Sequence, residues 1–148
     1  MRNLQGQAPK LVTPPGTSSG DLEVNVLFTT TRATLKALET AGQLAKDLGA
    51  RIRLLIPHVV PYPLPLEEPA VPARLLARRF CTLAKRSRID TRIDIRLCRD
   101  RWQVIDSGLR PGSVVVLAGR KRWWPTAESR LVKQLRGRGH QVVFLSQP

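Results

Sequence analysis

Hydrophobic residues recur in two alternating patterns along this chain of 148 residues. In some segments they form short apolar runs, which are typical of β-strands, and in others they return every three or four positions, as on one face of an α-helix. The runs predict five strands, at residues 22–29, 51–56, 91–97, 114–118 and 141–146. The helical pattern predicts four helices between them, at residues 35–48, 73–86, 101–109 and 126–136.

The short connections between these elements predict parallel strands and right-handed crossovers. The fold class is therefore α/β, a three-layer Rossmann-like sandwich in which a five-stranded parallel sheet has helices on both faces. The segment 114–118 is apolar throughout, which predicts a central strand buried on both sides. In 91–97 apolar and charged residues alternate, which predicts one wet face and a strand at the edge of the sheet. Pro57 cannot donate to a ladder, so we expect the second strand to end or bulge there.

The composition also predicts the domain organisation. Residues 1–21 are rich in Gly, Pro, Ser and Thr and contain few large apolar side chains, so they predict a flexible N-terminal tail. Residues 22–148 suit a single domain. No apolar run is long enough to be a transmembrane segment, and the N-terminus lacks the apolar region of a secretory signal, so we expect a cytoplasmic protein.

The charge of the chain is strongly one-sided, with 25 basic and 11 acidic residues and a formal net charge of +14. Such a surface attracts polyanions, including nucleic acid and anionic lipid headgroups, although no nucleic-acid-binding motif is present. One candidate surface is the outer face of the predicted helix at 73–86, which carries Arg74, Arg78, Arg79, Lys85 and Arg86. An ordinary solvated helix face is the alternative interpretation of the same residues.

The turn after the fourth strand is the first candidate ligand site. It has a glycine followed by three basic residues and leads into a helix that begins near Thr126. Its residues are Gly119, Arg120, Lys121 and Arg122. Backbone N–H groups and the helix dipole point at such a turn, and the basic side chains add charge-assisted hydrogen bonds, so the turn favours a phosphate. Trp123 and Trp124 could stack on a base, or they could cover the place where a nucleotide would bind.

Three threonines at the end of the first strand are the second candidate. Thr29, Thr30 and Thr31 could hydrogen-bond a ligand at the switch point of the sheet. Alternatively, they serve the turn and the start of the next helix, for which Thr31 and Thr34 are the candidate caps.

No arrangement of residues indicates catalysis. His58 and His140 stand alone, without partners at metal-ligand spacing. Cys81 and Cys98 lie on separate predicted elements and form no Cys-x-x-Cys motif. No Ser/His/Asp, Cys/His or paired-carboxylate arrangement is present, and the scattered aspartates are expected to be ion-pair partners. The sequence therefore predicts that the protein is not an enzyme and has neither a metal site nor a required cofactor.

Four stretches of the chain carry a resemblance to a known family. They are the strand, loop and helix at 26–38, the helix end and strand at 45–55, the segment His58-Val-Val-Pro61 with the proline-rich loop after it, and the end of the chain from Gly119 through Arg130-Leu131-Val132. These stretches resemble the universal stress protein family. The resemblance covers about residues 22–147 and implies a strand order of 3-2-1-4-5. It also implies a homodimer that forms through the last strand.

Some members of that family bind ATP, so the resemblance makes an adenine nucleotide a candidate ligand. Their signature has a glycine after the fourth strand, a second glycine shortly after it, and later a Gly-Ser or Gly-Thr pair. This chain keeps Gly119, but it has Arg122 at the second position and Pro125-Thr126 in place of the pair. The acidic residue that the family has at the end of the first strand is replaced here by threonine. These departures predict that ordinary ATP binding is weak or lost.

Three hypotheses follow. The first is a non-enzymatic regulatory or sensing module of the universal stress type, active in a stress response as a homodimer and with a partner protein that the sequence does not identify. The second is a protein that binds a nucleotide or another phosphate ligand at the turn 119–126. The third is a protein that binds nucleic acid or an anionic membrane through its basic surface.

Overall fold

The structure is a computed structural model, and it describes residues 10–11, 22–120 and 126–147. Strands and helices alternate along the domain as the hydrophobic pattern predicts. The strands are β1 (Lys10–Leu11), β2 (Glu23–Leu27), β3 (Arg51–Val59), β4 (Thr91–Cys98), β5 (Val114–Arg120) and β6 (Gln141–Gln147). The helices are α1 (Thr31–Leu48), α2 (Ala73–Ser87), α3 (Arg101–Gly108) and α4 (Ala127–Gly137).

All of these strands belong to one sheet, with the order β1-β4-β3-β2-β5-β6. The strands from β2 to β6 pair in parallel, and counted along the chain from β2 their order is 3-2-1-4-5. This confirms the α/β fold class and the strand order that the resemblance implies.

The short strand β1 lies outside the predicted domain. It pairs antiparallel with β4, where Lys10 is opposite Leu97, and it adds a sixth strand to the sheet. Two residues of the predicted tail therefore extend the sheet beyond β4. The other residues from 1 to 21 lie outside the described part of the chain, so the flexibility of the tail stays a prediction for them.

Hydrophobic side chains pack in two layers, one on each face of the sheet. The helices α1 and α2 cover one face, where Phe80 is one of the buried side chains, and α3 and α4 cover the other, where Leu135 is buried. The strand β5 contributes to both layers, because Val116 packs in the first and Leu117 in the second. This confirms the three-layer sandwich and the central position predicted for residues 114–118.

The prediction that the second strand ends or bulges at Pro57 is wrong, because β3 continues through Pro57, paired with Arg96, to Val59. Successive residues of a strand direct their backbone groups to opposite neighbours. Leu55 directs its carbonyl oxygen toward β2, where it accepts a hydrogen bond of 3.0 Å from the N–H of Phe28. Pro57 faces the same side but lies beyond the end of β2, so its missing N–H removes no ladder bond.

The predicted wet face of β4 is also wrong at Asp94, which is only 2% exposed. The Nε atom of Arg53, itself buried in the neighbouring strand, donates to Oδ2 of Asp94 at 3.0 Å. The Nη1 atom of Arg53 donates to the carbonyl oxygen of Gly108 at 2.6 Å and to Oδ1 of Asn25 at 3.3 Å. The carboxylate is therefore paired under α3 instead of solvated. In the five-stranded parallel part of the sheet β4 does lie at the edge, and β1 covers its outer side.

Candidate functional site

The carboxyl ends of β2 and β5 meet at the point where the strand order reverses. The helix after β2 covers one face of the sheet and the helix after β5 covers the other, so a crevice opens between the two strand ends. The hydroxyl of Thr29 donates a hydrogen bond of 2.8 Å to the carbonyl oxygen of Ala118. This bond ties the end of β2 to the residue before Gly119. We call this place the β2/β5 crevice, and four residues form it: Thr29, Arg101, Gly119 and Glu128.

The threonines at the end of β2 are engaged in local hydrogen bonds. The side chain of Thr30 accepts from the N–H of Ala33 at 3.2 Å and is the N-cap of α1. The hydroxyl of Thr34 accepts from the N–H of Thr29 at 3.2 Å. The cap is therefore Thr30, and the prediction of Thr31 or Thr34 is wrong, because Thr31 is the first helical residue and Thr34 turns back to the preceding loop.

The side chains of Thr126 and Ser129 cap the start of α4. The hydroxyl of Thr126 accepts from the N–H of Ser129 at 3.1 Å, and the hydroxyl of Ser129 accepts from the N–H of Thr126 at 2.8 Å. This reciprocal capping box satisfies two backbone donors that would otherwise face a ligand or water. Thr126 therefore serves as a helix cap.

Gly119 lies directly against the first turn of α4. A Cβ atom at this position would come within 2.7 Å of Cγ and 2.9 Å of Cβ of Glu128. These distances are too short for any side chain larger than hydrogen. The glycine is therefore required by the close approach of Glu128, which is the acidic residue in the first turn of α4.

Arg101 brings a positive charge to the same crevice. Its Nη2 atom donates to the carbonyl oxygen of Phe28, at the end of β2, over 3.3 Å. Burial lowers the pKa of its guanidinium, while the carboxylate of Glu128 and, to a smaller extent, Cys98 raise it and so favour the charged form. Arg101 and Glu128 are thus opposite charges that interact across the crevice.

The sequence analysis did not single out Arg101 or Glu128. One signal in the sequence could have found both. Arg101 follows the third predicted strand and Glu128 stands at the start of the last predicted helix, and in a parallel sheet both places lie at the carboxyl edge. Their opposite charges are the signal that the two side chains could interact there.

Of the predicted site residues, the structure brings Thr29 and Gly119 to the crevice and places Thr30, Thr31 and Thr126 at the starts of α1 and α4. Arg120 ends β5 with its side chain exposed to solvent. Five residues of the turn lie outside the described part of the chain, namely Lys121, Arg122, Trp123, Trp124 and Pro125. A role for them at the crevice stays a prediction.

Elsewhere the described residues offer little reactive chemistry. Burial raises the pKa of the Cys98 thiol to about 11, and the charge of Asp100 adds to this rise while Arg101 opposes it. Burial lowers the pKa of His58. Among residues 10–11, 22–120 and 126–147, no three His, Cys, Asp or Glu side chains are grouped so that they could hold a metal ion. No helix in the same residues is long and apolar enough to cross a membrane.

A second concave surface lies at the opposite, amino edge of the sheet. It encloses about 920 Å³ between the ends of α1 and α2 and the starts of the strands. The charges that line it have both signs and include Lys46, Arg88, Glu39 and Asp90. This mixture favours no single ligand charge, and it has no capped or buried polar group comparable to those at the β2/β5 crevice.

Proteins of known structure are similar to this chain. No protein-family model matches it, and no curated protein matches it. Among solved structures, the crystal structure of a universal stress protein in complex with cAMP is similar. The TM-score is 0.47 and the sequence identity is 16%, over 88% of this chain and 100% of that chain. This is the family that the sequence itself resembles.

Proposed function

We propose that the protein is a non-enzymatic regulatory or sensing module of the universal stress type, in which nucleotide binding at the β2/β5 crevice is weak or lost. One observation carries the proposal: the side chain of Glu128 packs against Gly119 and interacts with Arg101. The first turn of a helix attracts a negative charge through its N–H groups and dipole. Glu128 supplies that negative charge from within the chain.

A phosphate at this place would meet two obstacles. It would lie near the carboxylate of Glu128, and like charges repel strongly where water is partly excluded. It would also find few backbone donors, because Thr126 and Ser129 already satisfy each other at the start of α4. The hydroxyl of Thr29 is likewise engaged with Ala118. The polar groups at the crevice therefore already have partners within the chain, and a nucleotide would have to replace them.

The proposal of a non-enzymatic protein rests on the state of the reactive side chains. A thiol with a pKa of about 11 stays protonated at neutral pH, so Cys98 is a poor nucleophile. Asp94 is held by the guanidinium of Arg53 beneath α3 and is remote from solvent. Asp100 accepts from the N–H of Trp102 at 3.1 Å as the cap of α3. Each of these groups is buried or engaged in a structural contact, which argues against a role in proton transfer.

The second candidate is a protein that binds a nucleotide or another phosphate ligand at the same crevice. It is favoured by two cations, because Arg101 lies at the end of β2 and Arg120 is exposed at the end of β5. If a ligand displaced Glu128, both guanidinium groups could reach an anion with charge-assisted hydrogen bonds. The two candidates therefore differ in whether Glu128 or a ligand neutralises Arg101.

Calorimetric titration and thermal shift with ATP, ADP, AMP and cyclic AMP separate the two. A ligand at 100 times its dissociation constant stabilises a protein by about 2.7 kcal/mol. We expect no response of the wild-type protein to millimolar nucleotide, whereas Glu128→Gln gains a measurable one. The matched control is Glu39→Gln, which removes the same charge from the exposed face of α1 and leaves the response unchanged. Binding by the wild-type protein would establish the second candidate instead.

We further propose that the protein is a homodimer that forms through β6. This strand is the outermost on its side of the sheet, and Val142, Val143 and Phe144 are only half-buried in the single chain. A second copy of β6 would pair with its open edge and cover these side chains. Sedimentation velocity is expected to give a mass of about twice 16.5 kDa. A monomer at tens of micromolar protein would contradict this.

A further inference from the structure

The outer face of α2 is rich in positive charge. Five basic side chains of this helix are exposed: Arg74, Arg78, Arg79, Lys85 and Arg86. No acidic residue occurs anywhere between Ala73 and Ser87. Neither α1 nor α4 has this property, since Glu39 is exposed on α1 and Glu128 begins α4. We call these five residues the α2 cationic face.

The packing of α2 determines which way these charges point. Leu76, Phe80 and Leu83 are buried against the sheet and α1, each 5% exposed or less. Residues that are four and eleven positions apart lie on one line of an α-helix, so Arg74, Arg78 and Lys85 form a row about 16 Å long. Because the opposite side of the helix is buried, this row faces outward.

The row is not neutralised by the rest of the domain. Within the described part of the chain, none of the five cations has a carboxylate oxygen within 4.0 Å, whereas Arg53, Arg92, Arg96 and Arg138 each do. The guanidinium of Arg79 lies 6.0 Å from the ring centre of Phe80, a contact that keeps its charge. The face is therefore available to an external anion that carries several charges.

We propose that the α2 cationic face binds the phosphate backbone of nucleic acid, without preference for base sequence. A nucleic acid strand presents a continuous row of phosphates, so several of these cations can each neutralise one, and each neutralised phosphate releases counterions. An anionic membrane is a less suitable partner for this face, because the large apolar residues Leu76, Phe80 and Leu83 of α2 are buried in the core. Among the described large apolar residues of α2 and of the four residues before it, Leu75 and Val71 are exposed, at 43% and 44%, which is too little apolar surface to insert between lipids.

Fluorescence anisotropy with a labelled 24-base-pair DNA duplex and a labelled 24-nucleotide RNA tests this proposal. The wild-type protein should bind both, and its affinity should fall about 100-fold between 50 and 200 mM salt. In the variant Arg74→Gln/Arg78→Gln/Lys85→Gln, affinity at 50 mM salt should fall at least tenfold, and the salt slope should decrease by about 3.

Two controls keep the result specific to α2. The variant Arg110→Gln/Arg130→Gln/Lys133→Gln loses the same charge from exposed positions at the other side of the domain and should bind nearly as the wild type does. The variant Arg74→Lys/Arg78→Lys/Lys85→Arg keeps the charge and should keep the affinity. Unchanged circular dichroism spectra and melting temperatures establish that all three variants are folded.

Three results would overturn the proposal. The first is no binding at 50 mM salt, and the second is an equal loss of affinity in both glutamine variants, which would mean diffuse attraction by the net charge. The third is binding to phosphatidylglycerol vesicles in the absence of nucleic acid binding. The face is separate from the β2/β5 crevice, so Glu128→Gln should leave nucleic acid binding unchanged.

Discussion

The hydroxyl of Thr29 donates a hydrogen bond of 2.8 Å to the carbonyl oxygen of Ala118, although the two residues are 89 positions apart in the chain. It joins the ends of β2 and β5 beyond the last residues that pair in the ladder, which are Val26 and Val116. A side chain thus takes the place of a backbone bond where the two strands diverge. This bond holds the two strand ends together at the β2/β5 crevice.

Thr29→Val should destabilise the fold, because it keeps the shape of the side chain and removes its donor. The carbonyl of Ala118 is then left without this partner, at an expected cost of about 1 kcal/mol in the free energy of unfolding. The matched control is Thr82→Val, whose hydroxyl is exposed on α2 and donates only to Arg78 of the same helix. Urea unfolding measures both, and an equal effect of the two substitutions would contradict a special role for Thr29.

Gly119→Ala should also destabilise the fold, because the added Cβ overlaps two atoms of Glu128. Overpacking of this kind costs about 1–3 kcal/mol. Adding Glu128→Ala should recover only part of the loss, since it removes Cγ and leaves the Cβ atom 2.9 Å away. Gly137→Ala is the control, because a Cβ there meets nothing within 4 Å, and it should be neutral or slightly stabilising. Chemical denaturation distinguishes these outcomes, and equal stability of the two alanine variants would contradict the overlap.

The buried pair of Arg53 and Asp94 should show strong energetic coupling. Arg53→Met leaves Asp94 with only the partly exposed Arg96 as its cationic partner, and Asp94→Leu leaves the buried Arg53 without its nearest carboxylate. Breaking a buried pair in this way costs about 3–5 kcal/mol. The double variant removes both charges and should be much more stable than the sum of the two single effects predicts. A double-mutant cycle in urea measures this coupling. Additive effects would mean that solvent or Arg96, which also lies 3.3 Å from Asp94, replaces the lost partner.

The stability of the protein should depend on His58 as the pH falls. Burial lowers the pKa of His58 in the folded state below its ordinary value of 6.5. Between pH 7.5 and pH 5.5 the unfolded chain therefore takes up the proton first, and the folded state loses stability over that interval. We expect the wild-type protein to lose more stability than His58→Gln across this range. Unfolding curves at both pH values measure the difference, and equal losses in the two proteins would contradict it.

Local sequence determined the elements of this fold. The predicted strand at 114–118 and the observed Val114–Arg120 begin at the same residue, as do the predicted helix at 73–86 and Ala73–Ser87. Both signals come from burial, because a segment that is apolar on every side or on one helical face packs in only one way. The candidate site at the carboxyl edge was predictable for a similar reason, since parallel strands place all their ends there.

Only the tertiary structure decided what the polar residues do. The alternation of β4 indicates a solvated Asp94, but Arg53 on the neighbouring strand pairs with it at a distance of 41 positions in the chain. The charges of Glu128 and Arg101 likewise interact only because α3 and α4 cover the same face of the sheet. The local periodicity of the sequence predicts which apolar residues are buried. The environment of a charged residue depends instead on the partner that the fold places beside it. For that reason the sequence determined the sheet and its helices, and the tertiary structure determined which opposite charges lie near each other at this crevice.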